Sequence, residues 1–82
     1  MALARGDAPT AVEALARARD GFAALQAVWE EAVAELWLGA AQVARGDVAD
    51  ARRAAEAAAD VFDRVRSVRE SEQARSLLSR IG

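Results

Sequence analysis

The sequence predicts an all-α fold: antiparallel helical hairpins, about four helices in all, stacked into a short solenoid. Three observations predict it. The chain repeats itself after forty residues, it writes Gly-Asp at both copies of one corner, and its apolar residues recur at helical spacing. Pairing each residue from Leu3 onward with the one forty positions later gives 13 identities in 40 pairs. Five are Ala pairs, which a chain with 23 Ala produces readily. The remainder include a contiguous Arg-Gly-Asp and Phe22 matched by Phe62. A period of about 20–50 residues is the mark of a solenoid or array.

The corners come first, because they divide the chain. Gly6 and Gly46 each follow an apolar run, and Gly just past a helix end adopts the left-handed conformation that closes the last turn. Asp7 and Asp47 follow, where a carboxylate can accept the free amide hydrogens of a new helix. Pro9 falls in that helix's first turn, where its missing amide hydrogen costs little. Two residues between helices force them to pack antiparallel. The Arg-Gly-Asp tripeptide is therefore read as punctuation between helices rather than as an adhesion motif.

Helix one is expected over Ala8–Leu25, with Val12, Leu15, Ala18, Phe22 and Leu25 at helical spacing. Helix two runs over Val28–Arg45. It is strongly apolar, and Glu31, Glu35 and Gln42 form its narrow polar stripe. A helix with so little polar surface is covered on more than one side, which places it between helices one and three. Helix three runs over Val48–Val65. Helix four runs over Val68–Ile81, with Ala74, Leu77, Leu78 and Ile81 on one face. The corners near Gln26–Ala27 and Arg66–Ser67 contain no Gly, Pro or Asn, and both stretches can stay helical by propensity. The alternative fold is therefore two long helices, Ala8–Arg45 and Val48–Ile81, forming a hairpin that dimerises.

Leu38-Gly39, Gly46-Asp47, Ala51, Ala58 and Phe62 together resemble the spacing of tetratricopeptide repeats. The forty-residue period is similar to the longer repeats of large bacterial regulators of the LuxR and antibiotic-regulatory types. The resemblance implies a right-handed solenoid. Gly39, Ala51, Ala58 and Phe62 would be its helix-packing positions, and Gly6, Asp7, Gly46 and Asp47 its structural turns. The whole chain, 1–82, then reads as a single repeat domain: a half repeat over 1–27, a full hairpin over 28–67 and a half repeat over 68–82. It resembles a fragment of such a regulator or the end of an array. Position 35 is Glu where that family carries an aromatic.

Composition excludes several kinds of chemistry. The chain has no Cys and no His, so neither a disulfide nor a thiolate metal site is expected. Its 11 basic residues are all Arg, and the Ala-rich, Lys-free usage suggests a GC-rich bacterial genome. A net charge of −2 argues against a nucleic-acid footprint. No apolar run reaches the length of a membrane span, and a cytoplasmic location is expected. Glu30, Glu31 and Glu35 are the one carboxylate cluster, and they read as a solvated face. The hydroxyls of Thr10, Ser67, Ser71, Ser76 and Ser79 have neither His nor Lys to activate them. No catalytic residue, metal or cofactor is expected, and the chain does not read as an enzyme.

What remains is binding. Trp29 and Trp37 lie eight apart on helix two, and Trp is a frequent anchor at interface centres. In the family that the chain resembles, the first helix of each hairpin lines a groove. That implies a partner-binding surface of Trp29, Val33, Leu36, Trp37 and Ala40 from helix two, with Arg69, Glu72 and Arg75 from helix four. Two functions follow as expectations. One is a scaffold that takes a protein or peptide segment in this groove. The other is self-assembly, in which one copy's end stacks on another copy's start as a homodimer or array.

Overall fold

In the computed structural model, which describes residues 8–81, the backbone turns left-handed at three places spaced twenty residues apart: Gln26 at φ 57°, Gly46 at φ 96° and Arg66 at φ 60°. Gly46 is the first residue past its helix end, and Gln26 and Arg66 are the second past theirs. Among the described residues there are four helices: α1 (Ala8–Ala24), α2 (Val28–Arg45), α3 (Val48–Arg64) and α4 (Val68–Ile81). Among the described residues there is no strand. The helices begin at Ala8, Val28, Val48 and Val68, so a twenty-residue unit underlies the forty-residue repeat.

One hydrogen-bond pattern closes all three corners. At the first, the Gln26 amide donates to the Ala23 carbonyl at 3.0 Å and the Ala27 amide to the Phe22 carbonyl at 2.9 Å. At the second, Gly46 donates to Val43 at 3.1 Å and Asp47 to Gln42 at 2.8 Å. At the third, Arg66 donates to Asp63 at 3.3 Å and Ser67 to Phe62 at 2.8 Å. This paired bonding is the Schellman ending, and it satisfies carbonyls that the helix would otherwise leave free. Ser67, at the start of α4, stands three residues before Glu70, the spacing of a capping box. Its hydroxyl donates to Glu70 Oε1 at 2.6 Å.

Two expectations are corrected here. The alternative of two long helices fails, because both rods break, over residues 25–27 and 65–67. Asp47 does stand at the start of α3, but its carboxylate caps no amide. It pairs with Arg45 Nε at 3.3 Å instead. Gly6 and Asp7, the corresponding turn residues one repeat earlier, lie outside the described residues.

Packing follows the chain. α1 packs on α2, α2 on α3 and α3 on α4, and α2 also touches α4. Among the described residues, ten of the fourteen buried apolar residues are Ala, so the helices meet through small side chains and their axes approach closely. Gly39 is the tightest point. A Cβ there would lie 3.2 Å from Leu77 Cδ2 and 3.3 Å from the Ala51 carbonyl oxygen. Gly39 thus lets α2 sit against both α3 and α4. Phe62 and Leu38 are the largest fully buried side chains. Around Phe62, the residues Leu36, Ala55, Ala58, Ala74 and Leu77 form one cluster from α2, α3 and α4.

Candidate functional site

The surface between α2 and α4 is built from two copies of one pattern. α2 contributes Trp29, Val33, Leu36, Trp37 and Ala40; forty residues later the same positions on α4 are Arg69, Gln73, Ser76, Leu77 and Arg80. The helices carry these positions at i, i+4, i+7, i+8 and i+11, which is one face. A recess of about 310 Å³ opens between them. Leu36, Trp37 and Ala40 form one wall, and Gln73, Ser76, Leu77 and Arg80 form the other. The α2 wall is apolar and the α4 wall is mostly polar.

Trp37 is the most exposed side chain of that apolar wall, at 56 %. It also borders a second recess of about 250 Å³, which Leu15, Ala18 and Phe22 of α1 share with Trp29, Val33 and Ala34 of α2. Trp37 is therefore a ridge between two hollows. Trp29 is half-exposed and held at its polar edge: its Nε1 donates to Ser67 Oγ at 3.1 Å. Since Ser67 also donates to Glu70, one hydroxyl joins the first turn of α2 to the first turn of α4. The bond from the Ser67 hydroxyl, with a smaller contribution from Glu70's own amide, holds the Glu70 carboxyl below the usual carboxylate value.

The residues expected to line the groove divide as follows. Trp37 and Ala40 face it and Leu36 is buried at its floor, whereas Trp29 and the half-buried Val33 line the recess against α1. Arg69 is exposed on the stripe that Gln73, Ser76 and Arg80 continue. Glu72 and Arg75 lie on the other flank of α4, around a recess that they share with Phe62, Asp63 and Arg66. Arg75 Nη2 donates to both oxygens of Asp63, at 2.9 and 2.8 Å. The buried Ser71 hydroxyl donates to the same carboxylate. This pair fastens α4 to α3.

Glu35 is not on a solvated face. Its side chain is 16 % exposed and accepts from Arg19 Nη1 of α1 at 3.4 Å. Burial pushes its carboxyl above the usual value, and the Arg19 guanidinium only partly offsets this. Of the packing residues, Gly39, Ala51, Ala58 and Phe62 are all buried.

Sequence reasoning passed over Gln73, Ser76, Leu77 and Arg80 as groove residues. The forty-residue offset itself could have found them, since adding it to Val33, Leu36, Trp37 and Ala40 gives this set. Among the described residues, no three His, Cys, Asp or Glu side chains converge as metal ligands, and no helix is long and apolar enough to cross a membrane. Comparison of the chain with protein-family models, curated proteins and solved structures gave no match.

Proposed function

We propose that the protein is a protein–protein interaction module that takes a peptide or partner helix along the groove between α2 and α4. One observation carries the reading: Trp37 stands half out of the surface beside a hollow floored by Leu36 and Leu77. A Trp exposed over an apolar recess gains by being covered, and such residues dominate interface energetics. The repeat-related helices α2 and α4 lie side by side with α3 behind them. The close approach at Gly39 belongs to the same picture. Both fit a tetratricopeptide-like solenoid, which we further read as related to the long repeats of bacterial regulators and as working in the cytoplasm. No hydroxyl has a His or Lys to activate it, so the reading is of a binding module and not of an enzyme.

A second reading, self-assembly, is favoured by α1. Ala54 and Ala58 of α3 are buried, whereas their counterparts Ala14 and Ala18 of α1 are exposed. The same small-residue stripe is thus covered once and bare once, and a helix from a second copy would cover the bare one. Light scattering over a dilution series separates the two. A monomer at all concentrations, together with selection of groove-binding sequences from a displayed peptide library that W37A no longer retains, supports the scaffold. A dimer that persists on dilution, and that A14E and A18E dissolve, supports assembly. A monomer that selects no peptide refutes both.

A further inference from the structure

We propose that the segment held in the α2–α4 groove is acidic at both ends and apolar in the middle, a proposal that rests on the groove reading above. The argument is charge complementarity. Arg19, Arg45, Arg53, Arg64 and Arg75 are each in an ion pair. Among the described residues Arg17, Arg52, Arg66, Arg69 and Arg80 are in none, and of these Arg69 and Arg80 are the two on the groove stripe of α4. Eleven residues separate them, about 16 Å along a helix at ~1.5 Å per residue. Gln73 and Ser76 lie between them and carry no charge.

Among the described residues no nearby acid forms an ion pair with Arg69 or Arg80. Glu70 is held by the Ser67 hydroxyl and forms no ion pair with Arg69, although its charge is felt there. Glu72 belongs to the recess on α4's far flank. Glu30 borders the hollow on the α1 side of Trp37. The opposite wall offers Trp37, Leu36 and Ala40. A ligand that satisfies both walls has apolar side chains against Trp37 and carboxylates about 16 Å apart, which an extended segment spans in about five residues at ~3.3 Å each. A basic segment would place its cations against Arg69 and Arg80 and be repelled. Each free guanidinium can take a carboxylate in a two-point contact.

The test uses three fluorescein-labelled peptides with the same Leu-Phe-Leu centre. Their flanks are Glu-Glu, Gln-Gln or Lys-Lys on both sides, and anisotropy is read with the whole chain at about 50 and 300 mM salt. The expected order is Glu-flanked tightest, by tenfold or more over Gln-flanked, with Lys-flanked weakest. Higher salt should narrow that gap, because exposed charges are screened within about 10 Å at moderate ionic strength. The double variant R69E/R80E should invert the order; R69Q and R80Q singly should each lower the preference for Glu by several-fold. Helicity by circular dichroism verifies that the variants are folded. Equal affinity for Glu- and Gln-flanked peptides, or a preference that survives both Arg→Gln changes, overturns the charge proposal and leaves the groove standing. No binding of any of the three at millimolar concentration overturns both.

Discussion

Glu35 and Arg75 occupy the same position of the repeat, and each ties its helix to the helix before it, with the charges exchanged. Glu35 of α2 meets Arg19 of α1 at 3.4 Å, and Arg75 of α4 meets Asp63 of α3 at 2.8 Å. The repeat has kept the role and swapped the sign.

This position predicts how stability varies with acidity. The folded state raises the Glu35 carboxyl above its ordinary value of 4.5 through burial. The folded state therefore binds the proton more readily than the unfolded chain, so this contribution is fully present below the ordinary value. It is lost as pH rises through the folded value. Glu70 has the opposite sign. Its carboxyl is lowered by the Ser67 hydroxyl, so its contribution is present above the ordinary value and disappears as pH falls through the folded one. Thermal midpoints measured from about pH 3 to 7 should show E70Q losing stability relative to the parent near neutrality and matching it in acid. E35Q should compare best with its parent near neutrality.

The two non-Gly corners predict stabilising substitutions. Gln26 and Arg66 hold φ near +60°, where an L side chain costs about 1 kcal/mol and Gly very little. Q26G and R66G should each raise the unfolding free energy measured in urea, by about 0.5–1 kcal/mol. G46A, at φ 96°, should lower it by a similar amount or more. A drop in stability for both Gly variants would show that the left-handed turns are unstrained.

Gly39 predicts a steep dependence on side-chain size. Ala there adds helix propensity worth about 1 kcal/mol. Its Cβ, however, meets the Ala51 carbonyl oxygen, which is backbone and yields little, and a movable Leu77 methyl. G39A should therefore fall near neutral, while G39V should cost about 1–3 kcal/mol through overpacking. Chemical denaturation of the pair measures the difference.

Phe62 and Phe22 are repeat partners in unequal surroundings. Phe62 is fully buried and Phe22 only partly. F62A should cost about 3–5 kcal/mol, a large share of the few kcal/mol available to a domain of this size. F22A should cost clearly less. Equal losses would mean that α1 is covered in solution, and the light-scattering series would then be expected to report a dimer.

Trp29 and Ser67 predict a small, local effect. Their bond is solvent-exposed, so W29F should cost no more than about 1 kcal/mol. Hydrogen exchange should nonetheless quicken at the amides of the first turn of α4, because that turn loses its tie to α2. S67A also removes the Glu70 contact and should cost more.

Much of this fold was legible in the residues, and the part that was not has a physical reason. Helix starts at Val28, Val48 and Val68 could be read from the apolar runs, and the corner at Gly46 from its Gly. The corners at Gln26 and Arg66 could not be read with the same firmness. Side chains of those types reach the left-handed region only at a cost, and it is the Schellman bonds and the packing of the next helix that offset it. Asp47 looked like a cap, yet Arg45, two residues away, draws its carboxylate elsewhere. Helical spacing put Leu36, Trp37 and Ala40 together on the recess against α4, but Trp29 and Val33 turned out to line the recess against α1. Glu72 and Arg75 lie around a different recess on α4's other flank, because spacing fixes which residues share a face and not how that face is rotated toward its neighbours.

Corners that recur every twenty residues have an evolutionary consequence. Each helix with its turn is a unit of constant length, and its hydrogen-bond closure depends on no distant residue. A gene that gains or loses whole pairs of such units by misaligned recombination keeps every surviving interface in phase, whereas an insertion of any other length would rotate all that follows it. Proteins of this kind can therefore change in extent by counting, without having to redesign their interiors.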